Sequence, residues 1–176
     1  MPKLTHFTIT IKSKSYLQKY FSTIGEYPMP LNQSDHLFNT ILTKLCNKGN
    51  FRVRGKNLNI CNAAIKKYQG ELTFKIPFDF FYRIEKNPPP ALVYNINLYL
   101  QQVFEADFCD VVNRATWLGI ERRTTIEKFA ENHNIIIEED ISYEALKRVD
   151  YRYRKNKKKF MEKLSLQKSP FTKPNE

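Results

Sequence analysis

Two acidic side chains beside a lysine are the residues of this sequence that could most directly carry out a reaction. In FDFFYRIEK, Asp79 and Glu85 precede Lys86. Two carboxylates can hold Mg²⁺ while a lysine orients an attacking water, which is the chemistry of a nuclease. A separation of six residues with no second acidic cluster nearby is common by chance, however, so the pattern is weak support for nuclease activity.

Metal ligation and covalent catalysis have less support. The three histidines, His6, His36 and His133, lie far apart and lack the close His and Cys spacing of zinc sites. No two of the five glycines form a GxG pair and no GxSxG motif is present, so neither a phosphate-binding loop nor a nucleophile elbow is indicated. We expect a protein that is not an enzyme and uses no metal or cofactor, with nuclease activity left open.

Positive charge is concentrated near the end of the chain. The formal net charge is +11, and the thirty residues from Lys147 onward contain eleven Lys and Arg but three acids, which gives them +8. Within them, YRYRKNKKKF (Tyr151–Phe160, the cationic segment) holds six cations and three aromatic residues. Such a cluster favours a polyanionic partner, of which nucleic acid is the commonest and an anionic membrane surface the next.

The cationic segment belongs to a predicted amphipathic helix that begins at Asp140 or Ser142 and runs past Phe160. At 100 degrees per residue, an apolar stripe lies within about 60 degrees and should pack on the protein. The stripe consists of Leu146, Val149, Tyr153, Phe160 and Leu164. The opposite sector of about 160 degrees should contact phosphates. Its predicted contact residues are Lys147, Arg148, Arg152, Arg154, Lys155, Lys158 and Lys159.

A second predicted helix precedes this one. In TTIEKFAENHNI, Thr124 or Thr125 can cap the helix, and Ala130 is a small residue where a partner helix could approach. Asn134 tolerates a left-handed backbone, and Ile135 would be the buried residue of the turn. This pattern resembles a helix-turn-helix unit, with Asn134 where the motif usually has glycine and with a turn longer than the usual three or four residues.

The resemblance implies that the second helix binds DNA. Three acidic residues before that helix change which part of it should make the contact. Glu138, Glu139 and Asp140 suit a helix N-terminus and would repel phosphate there, so contact should come from the middle and C-terminal half of the helix. Arg122 and Arg123 could extend the basic surface, or they could merely be solvated side chains at the start of a helix. Both alternatives stay open. The whole pattern also resembles small uncharacterised helix-turn-helix-type proteins of bacterial phages and conjugative elements.

The remaining chain predicts an α+β fold. HFTITIK alternates as a half-buried strand. Short runs at Phe51–Val53, Leu58–Ile60 and Leu72–Ile76 predict two or three further strands of a small antiparallel sheet packed with helices. The residues near Asn87–Pro90 form a rigid spacer, and Pro90 can begin the helical part that follows, which is one long helix or two shorter ones and ends at Gly119. We predict an α/β domain or subdomain at 1–87, a helical, basic one at 91–164 and a flexible tail at 165–176.

Other residues are expected to fill the core of an intracellular protein. Cys46, Cys61 and Cys109 are interpreted as reduced small hydrophobes, and Trp117 and Tyr143 as core anchors. No apolar run reaches the ~18 to 20 residues that span a bilayer, and the first residues lack the apolar region of a secretory signal. We therefore expect a cytoplasmic protein without a membrane partner.

Two functions fit these observations. The first is a nucleic-acid-binding protein of a phage or mobile element, with DNA the expected ligand, that contacts phosphates through the basic C-terminal helix. The alternative is a structural or assembly protein of a virion or mobile element, which docks on an acidic protein partner or on packaged nucleic acid.

Overall fold

The computed structural model describes residues 5–31, 36–46, 56–84 and 87–167 of the 176-residue chain. Within these ranges the main elements are β1 (His6–Ser13), α1 (Ser15–Thr23), β2 (Met29–Pro30), α2 (His36–Cys46), α3 (Lys56–Ile65), β3 (Gly70–Pro77), α4 (Pro90–Trp117), α5 (Arg122–Asn132) and α6 (Tyr143–Gln167). A single 3₁₀ turn, Phe78–Phe80, follows β3. The α+β class predicted from the sequence is confirmed.

In the described part of the chain the sheet has three strands, in the order β1-β3-β2. β1 and β3 are antiparallel and pair along their whole length, from His6 opposite Pro77 to Ser13 opposite Gly70. β2 pairs with the other edge of β3 in the parallel sense. The antiparallel pairing predicted for the long strands is therefore present. The parallel strand β2 was not predicted, because two residues are too few to show a periodicity in the sequence.

One predicted strand is a helix. Leu58–Ile60 lie in α3, where Ala63 and Ala64 follow within the same helix. Alanine has the highest helix propensity, and an alternation of three residues is too short to outweigh a helix-forming run. The strand predicted at Phe51–Val53 lies outside the described residues.

The long helix α4 is the centre of the structure. It begins at Pro90, as predicted, and packs against β1, α1, α2, α3, α5 and α6. Its buried side chains include Leu92, Ile96, Leu100, Phe104, Phe108 and Val112. These join side chains from β1 and β3 in one hydrophobic cluster. The core is thus continuous across the spacer that separates the two predicted subdomains, whose independence stays a prediction.

Helix α4 ends where glycine permits a left-handed backbone. Gly119 has φ of +81°, and the N–H groups of Gly119 and Ile120 donate to the carbonyls of Thr116 and Ala115, both at 3.0 Å. These two bonds define a Schellman motif. The predicted end of the helix is confirmed, but the prediction that Trp117 lies in the core is wrong, since its side chain is 88% exposed.

The buried polar residue Asn97 joins α4 to β1. Its Nδ2 donates to the carbonyls of Lys12 and Val93, each at 2.9 Å, and its Oδ1 accepts from the hydroxyl of Ser13 at 2.7 Å. Both Asn97 and Ser13 are buried. Because buried polar groups must be paired, this amide fixes where α4 lies against the end of the strand.

The burial of the cysteines and of Tyr143 can be compared with the core positions expected for them. Cys61 and Cys109 are buried free thiols and Cys46 is half-buried. Tyr143 is partly buried against the core, as an anchor would be. Among the residues described, no helix is both long enough and apolar enough to cross a membrane.

Replacing Asn97 by alanine should lower the free energy of unfolding by about 2–4 kcal/mol, because the Ser13 hydroxyl loses its buried acceptor. Urea denaturation measures the change. Adding Ser13→Ala to Asn97→Ala should cost little further, since the unpaired hydroxyl is removed. Asn95→Ala, on another side of the same helix, is the matched control; an equal loss in both single variants would contradict the role given to Asn97.

Candidate nucleic-acid interface

The last helix is anchored through its first two turns. The Ser142 Oγ accepts from the Ala145 N–H at 3.2 Å and caps α6, as one of the two predicted caps. Leu146, Val149 and Asp150 are then buried. From Tyr151 to Phe160 every residue is exposed. The exposed part of helix α6 therefore begins where the cationic segment begins, and its first turns, to Asn156, still line a cavity with α4.

Beyond Val149 the predicted packing stripe of α6 is present only in part, because Tyr153 still lines a cavity with Ala106 and Cys109 of α4 but Phe160 does not. Tyr153 is 38% exposed and Phe160 is 61% exposed, and the side chain of Leu164 lies outside what the structure describes. The periodicity of a helix shows which side chains share a face, but not whether another element lies opposite that face. Helix α6 continues to Gln167, three residues into the predicted tail; residues 168–176 are not described.

A buried carboxylate lies where α6 leaves the protein. Asp150 Oδ1 accepts from Arg122 Nη1 at 2.8 Å, and Asp150 Oδ2 accepts from Arg154 Nε at 3.0 Å. The side chain of Asp150 is 3% exposed, and Arg122 also approaches Asn113 Oδ1 at 3.5 Å. A buried carboxylate is tolerated when charged donors surround it. We therefore assign Arg122 to the packing of α5 on α6 and leave it out of the interface.

Several other predicted contact residues have acidic neighbours. Lys147 lies 3.3 Å from Glu144, and Arg152 lies 3.8 Å from Glu105. Arg123 is paired with an acid one turn along α5, Glu127, at 2.9 Å. The side chains of all three cations are well exposed. Exposed pairs are weak because water and salt screen them, so a phosphate can compete for these cations.

Several outer cations of α6 take part in no ion pair among the described residues. Among the ion pairs of those residues, none includes Arg148, Lys155, Lys158 or Lys159. Lys157 joins this group and was missed from the sequence, since the helical wheel places it beside the apolar stripe. Lys157 is exposed like its neighbours.

Helix α5 ends in the way that the resemblance to a helix-turn-helix unit implies. Asn134 has φ of +54°, and the N–H groups of Asn134 and Ile135 donate to the carbonyls of Glu131 and Ala130 at 3.0 and 2.8 Å. Ala130 and Ile135 are buried. The left-handed residue and the buried turn residue are confirmed, and the two bonds show that Asn134 completes a Schellman motif.

The connection to α6 departs from the compact form of that motif. Residues 133–142 separate the helices, and both helices pack mainly on α4. The predicted cap at Thr124 or Thr125 is wrong, because α5 begins at Arg122 and both threonines lie inside its first turns. Thr125 is buried and its hydroxyl donates back to the Glu121 carbonyl at 3.0 Å. The pair is therefore held together through a third helix.

One acid of this connection has a structural role. Burial alone would raise the pKa of Asp140, but the Lys19 ammonium at 2.5 Å and the Ile136 N–H at 2.7 Å hold that pKa below its ordinary value. Glu138 Oε1 accepts from the Tyr143 N–H at 2.9 Å and so occupies the N-terminus of α6. That end of the helix is thereby closed to phosphate, as the acids in the sequence predicted.

Among the described residues, the other candidates for chemistry form no group. Asp79 is exposed in the turn after β3, whereas Glu85 and Lys86 lie outside the described residues. His133 Nδ1 is 2.7 Å from Thr23 Oγ1, and burial lowers the pKa of this histidine. Where the structure describes the chain, no three His, Cys, Asp or Glu side chains are grouped as metal ligands.

The buried thiol of Cys109 is not activated. Burial, with smaller effects of nearby carboxylates, raises its pKa to about 12. A thiol with so high a pKa stays protonated at neutral pH, and the thiolate is the nucleophilic form. Cys109 is therefore part of the core.

Comparisons of the chain with protein-family models, with curated proteins and with solved structures give no match.

Replacing Asp150 by asparagine should lower the free energy of unfolding by about 1–3 kcal/mol, since the partly buried Arg122 loses its counter-charge. Thermal or urea denaturation would measure it. The double variant Arg122→Met with Asp150→Leu should recover much of the loss, because the partly buried Arg122 charge is removed with its partner and the remaining cation, Arg154, is exposed to water. Arg123→Gln removes an exposed ion pair of α5 and is the control; a midpoint as low as that of Asp150→Asn would contradict the assignment.

Proposed function

We propose that the protein binds nucleic acid, with DNA the expected ligand, through the exposed cations of α6 between Arg148 and Phe160. The observation that carries the proposal is the exposure of the whole cationic segment, which contains six cations and no acid. A helix that leaves the body of the protein can lie along a polyanion without a clash from the rest of the fold.

The length of the exposed helix suits several phosphates. From Arg148 to Lys159 the helix rises roughly 16 Å, at about 1.5 Å per residue. Phosphates follow one another at about 3.4 Å along each DNA strand, so this length corresponds to roughly five of them. Contacts to phosphates alone carry no sequence information, and we expect binding that depends little on base sequence.

Crowding of the cations supports binding of a polyanion. Lys155 lies three and four residues before Lys158 and Lys159, and like charges at these spacings repel each other across one helical turn. A bound strand of phosphates would remove this repulsion and release counterions into solution. The free protein thus holds an electrostatic strain in α6 that the proposed ligand relieves.

The biological setting follows from the sequence alone. The resemblance to small proteins of bacterial phages and conjugative elements favours a role in a phage or mobile element, in the cytoplasm of the host. A basic, sequence-tolerant DNA contact fits such a role.

Changing Lys155, Lys157, Lys158 and Lys159 to glutamine should weaken duplex binding steeply. The slope of log affinity against log salt should fall by about 0.9 for each phosphate that is no longer neutralised, or by roughly 3 to 4 for four phosphates. The matched control changes Lys66, Lys67, Arg83 and Lys128, four exposed cations outside the cationic segment, and carries the same net charge. Fluorescence anisotropy across a salt series measures the slopes, and circular dichroism checks the fold. Equal slopes in the two variants would refute the proposal.

A protein partner is the second candidate, favoured by the exposed Tyr153 and Phe160. They lie seven residues apart on one side of α6, and a helix that presents apolar side chains among cations can enter a groove on an acidic protein. Such a helix could also serve in assembly of a virion or mobile-element particle.

If assembly is the function, nuclease-treated protein should form larger species without nucleic acid, and changing Tyr153 and Phe160 to serine should return it to a single small species. Ile24 and Ile136, two exposed isoleucines elsewhere, provide the control substitutions. Light scattering with size-exclusion chromatography makes the measurement. A single small species before and after the change would exclude this alternative.

A further inference from the structure

A groove lies beside the cationic segment, between the start of α1, the middle of α4 and the first turns of α6. Its volume is about 540 Å³, within the range of about 300–1,000 Å³ typical of small-molecule sites. We call it the α1–α6 groove. It opens at the point where α6 leaves the body of the protein.

The floor of the α1–α6 groove is apolar and aromatic. It includes Tyr16, Phe104 and Val149, which are buried members of the core, together with the partly buried Ile141. The rings of Tyr16 and Phe104 lie 5.0 Å apart with a tilt of 57°. These side chains are held by the core behind them and little of either ring is exposed, so the floor is a rigid apolar contact of small area.

One side of the groove is a chain of fixed polar groups. Lys14 Nζ donates to Gln101 Oε1 at 2.5 Å, and Gln101 Nε2 donates to Glu105 Oε1 at 2.6 Å. Arg152 approaches the same carboxylate at 3.8 Å, beyond hydrogen-bond distance. A carboxylate has room for further donors on its two oxygens. Glu105 can therefore accept a hydrogen bond from an amino group of a ligand without giving up the bond from Gln101.

The rim carries an excess of positive charge. Lys14, Arg148 and Arg152 face a single carboxylate, Glu105, which leaves a formal charge of +2 around the groove. Burial lowers the pKa of Lys14, although Glu105 opposes this effect, so the ammonium is held where water solvates it poorly. A ligand with a flat apolar part, an amino group and a negative charge would satisfy all three features.

The groove is continuous with the cationic segment. Arg148, Tyr151 and Arg152 line its mouth, and the last two belong to that segment. A strand whose phosphates follow α6 would pass this mouth, with one sugar close enough to turn its base inward. A base in a duplex is paired and stacked and cannot enter without being extruded.

We propose that the α1–α6 groove takes one unpaired base of a nucleic-acid strand, with the ring on the Tyr16 and Phe104 floor, an exocyclic amino group on Glu105 and the adjoining phosphate on Arg148 and Arg152. This inference rests on the proposed function and adds to it a preference for single strands. Stacking and hydrogen bonding of one base should make a strand with bases bind about tenfold to hundredfold tighter than phosphates alone.

The test compares a twelve-nucleotide DNA strand with an abasic strand of the same length, which keeps the phosphates and lacks the bases. Wild-type protein should bind the strand with bases at least tenfold tighter. Ala145→Phe, which fills the groove from α6, should bind both strands at the abasic level, whereas Ala63→Phe on the exposed surface of α3 should behave like the wild type. Circular dichroism and thermal unfolding confirm that each variant folds.

A second variant keeps the test decisive if Ala145→Phe is unstable. Glu105→Gln should reduce the gain for strands of adenine or cytosine, which have exocyclic amino groups, and leave thymine strands unaffected. Equal wild-type affinity for the base-containing and abasic strands, with a steep salt slope retained, would overturn this inference and leave the proposed function standing. Absence of binding to any strand or duplex would overturn both. Competition by a free nucleoside monophosphate at the concentration of the strand would overturn the inference by reassigning the groove to free nucleotides.

Discussion

Burial of α4 is the constraint on which the rest of the structure depends. This helix contacts the sheet and the other five helices, and Phe104 and Phe108 lie at its centre among the aromatic side chains of α1 and α5. Because interiors are packed at crystal-like density, elements that share one central helix are fixed relative to one another. Asn97 adds a polar constraint, since its amide must meet both β1 and α4. The position of α6 is determined by its packing on α4.

The carboxylate of Asp150 separates the two parts of α6. Before it, Leu146 and Val149 pack on the core; after it, the cationic segment is exposed. Arg122 and Arg154 approach its two oxygens, so one buried anion both ties α5 to α6 and takes up a cation at the base of the projecting segment. The cations beyond this point remain available for phosphate because the cationic segment contains no acid.

The two proposed contacts use different physical properties of the ligand. The outer cations recognise charge, which is uniform along any nucleic acid, whereas the α1–α6 groove offers a rigid aromatic floor and fixed polar groups to a base. Both meet at Arg148 and Arg152. Much of the first surface could be predicted from the sequence, because its cations are close together on one helix. The groove could not, since Lys14, Gln101 and Arg148 are far apart along the chain and only packing brings them together.

Features that depend on neighbouring residues could be predicted from the amino-acid sequence. The alternation of apolar and polar residues predicted β1 and β3, Pro90 and Gly119 predicted the ends of α4, and Asn134 predicted the left-handed end of α5, because each depends on local backbone preferences. Tertiary packing determines which faces are covered. It left Trp117 and Phe160 exposed and placed Arg122 on Asp150, 28 residues along the chain. Helical periodicity shows on which face of a helix a side chain lies. Burial requires a second element that packs on that face, and only the folded core determines how far that element extends.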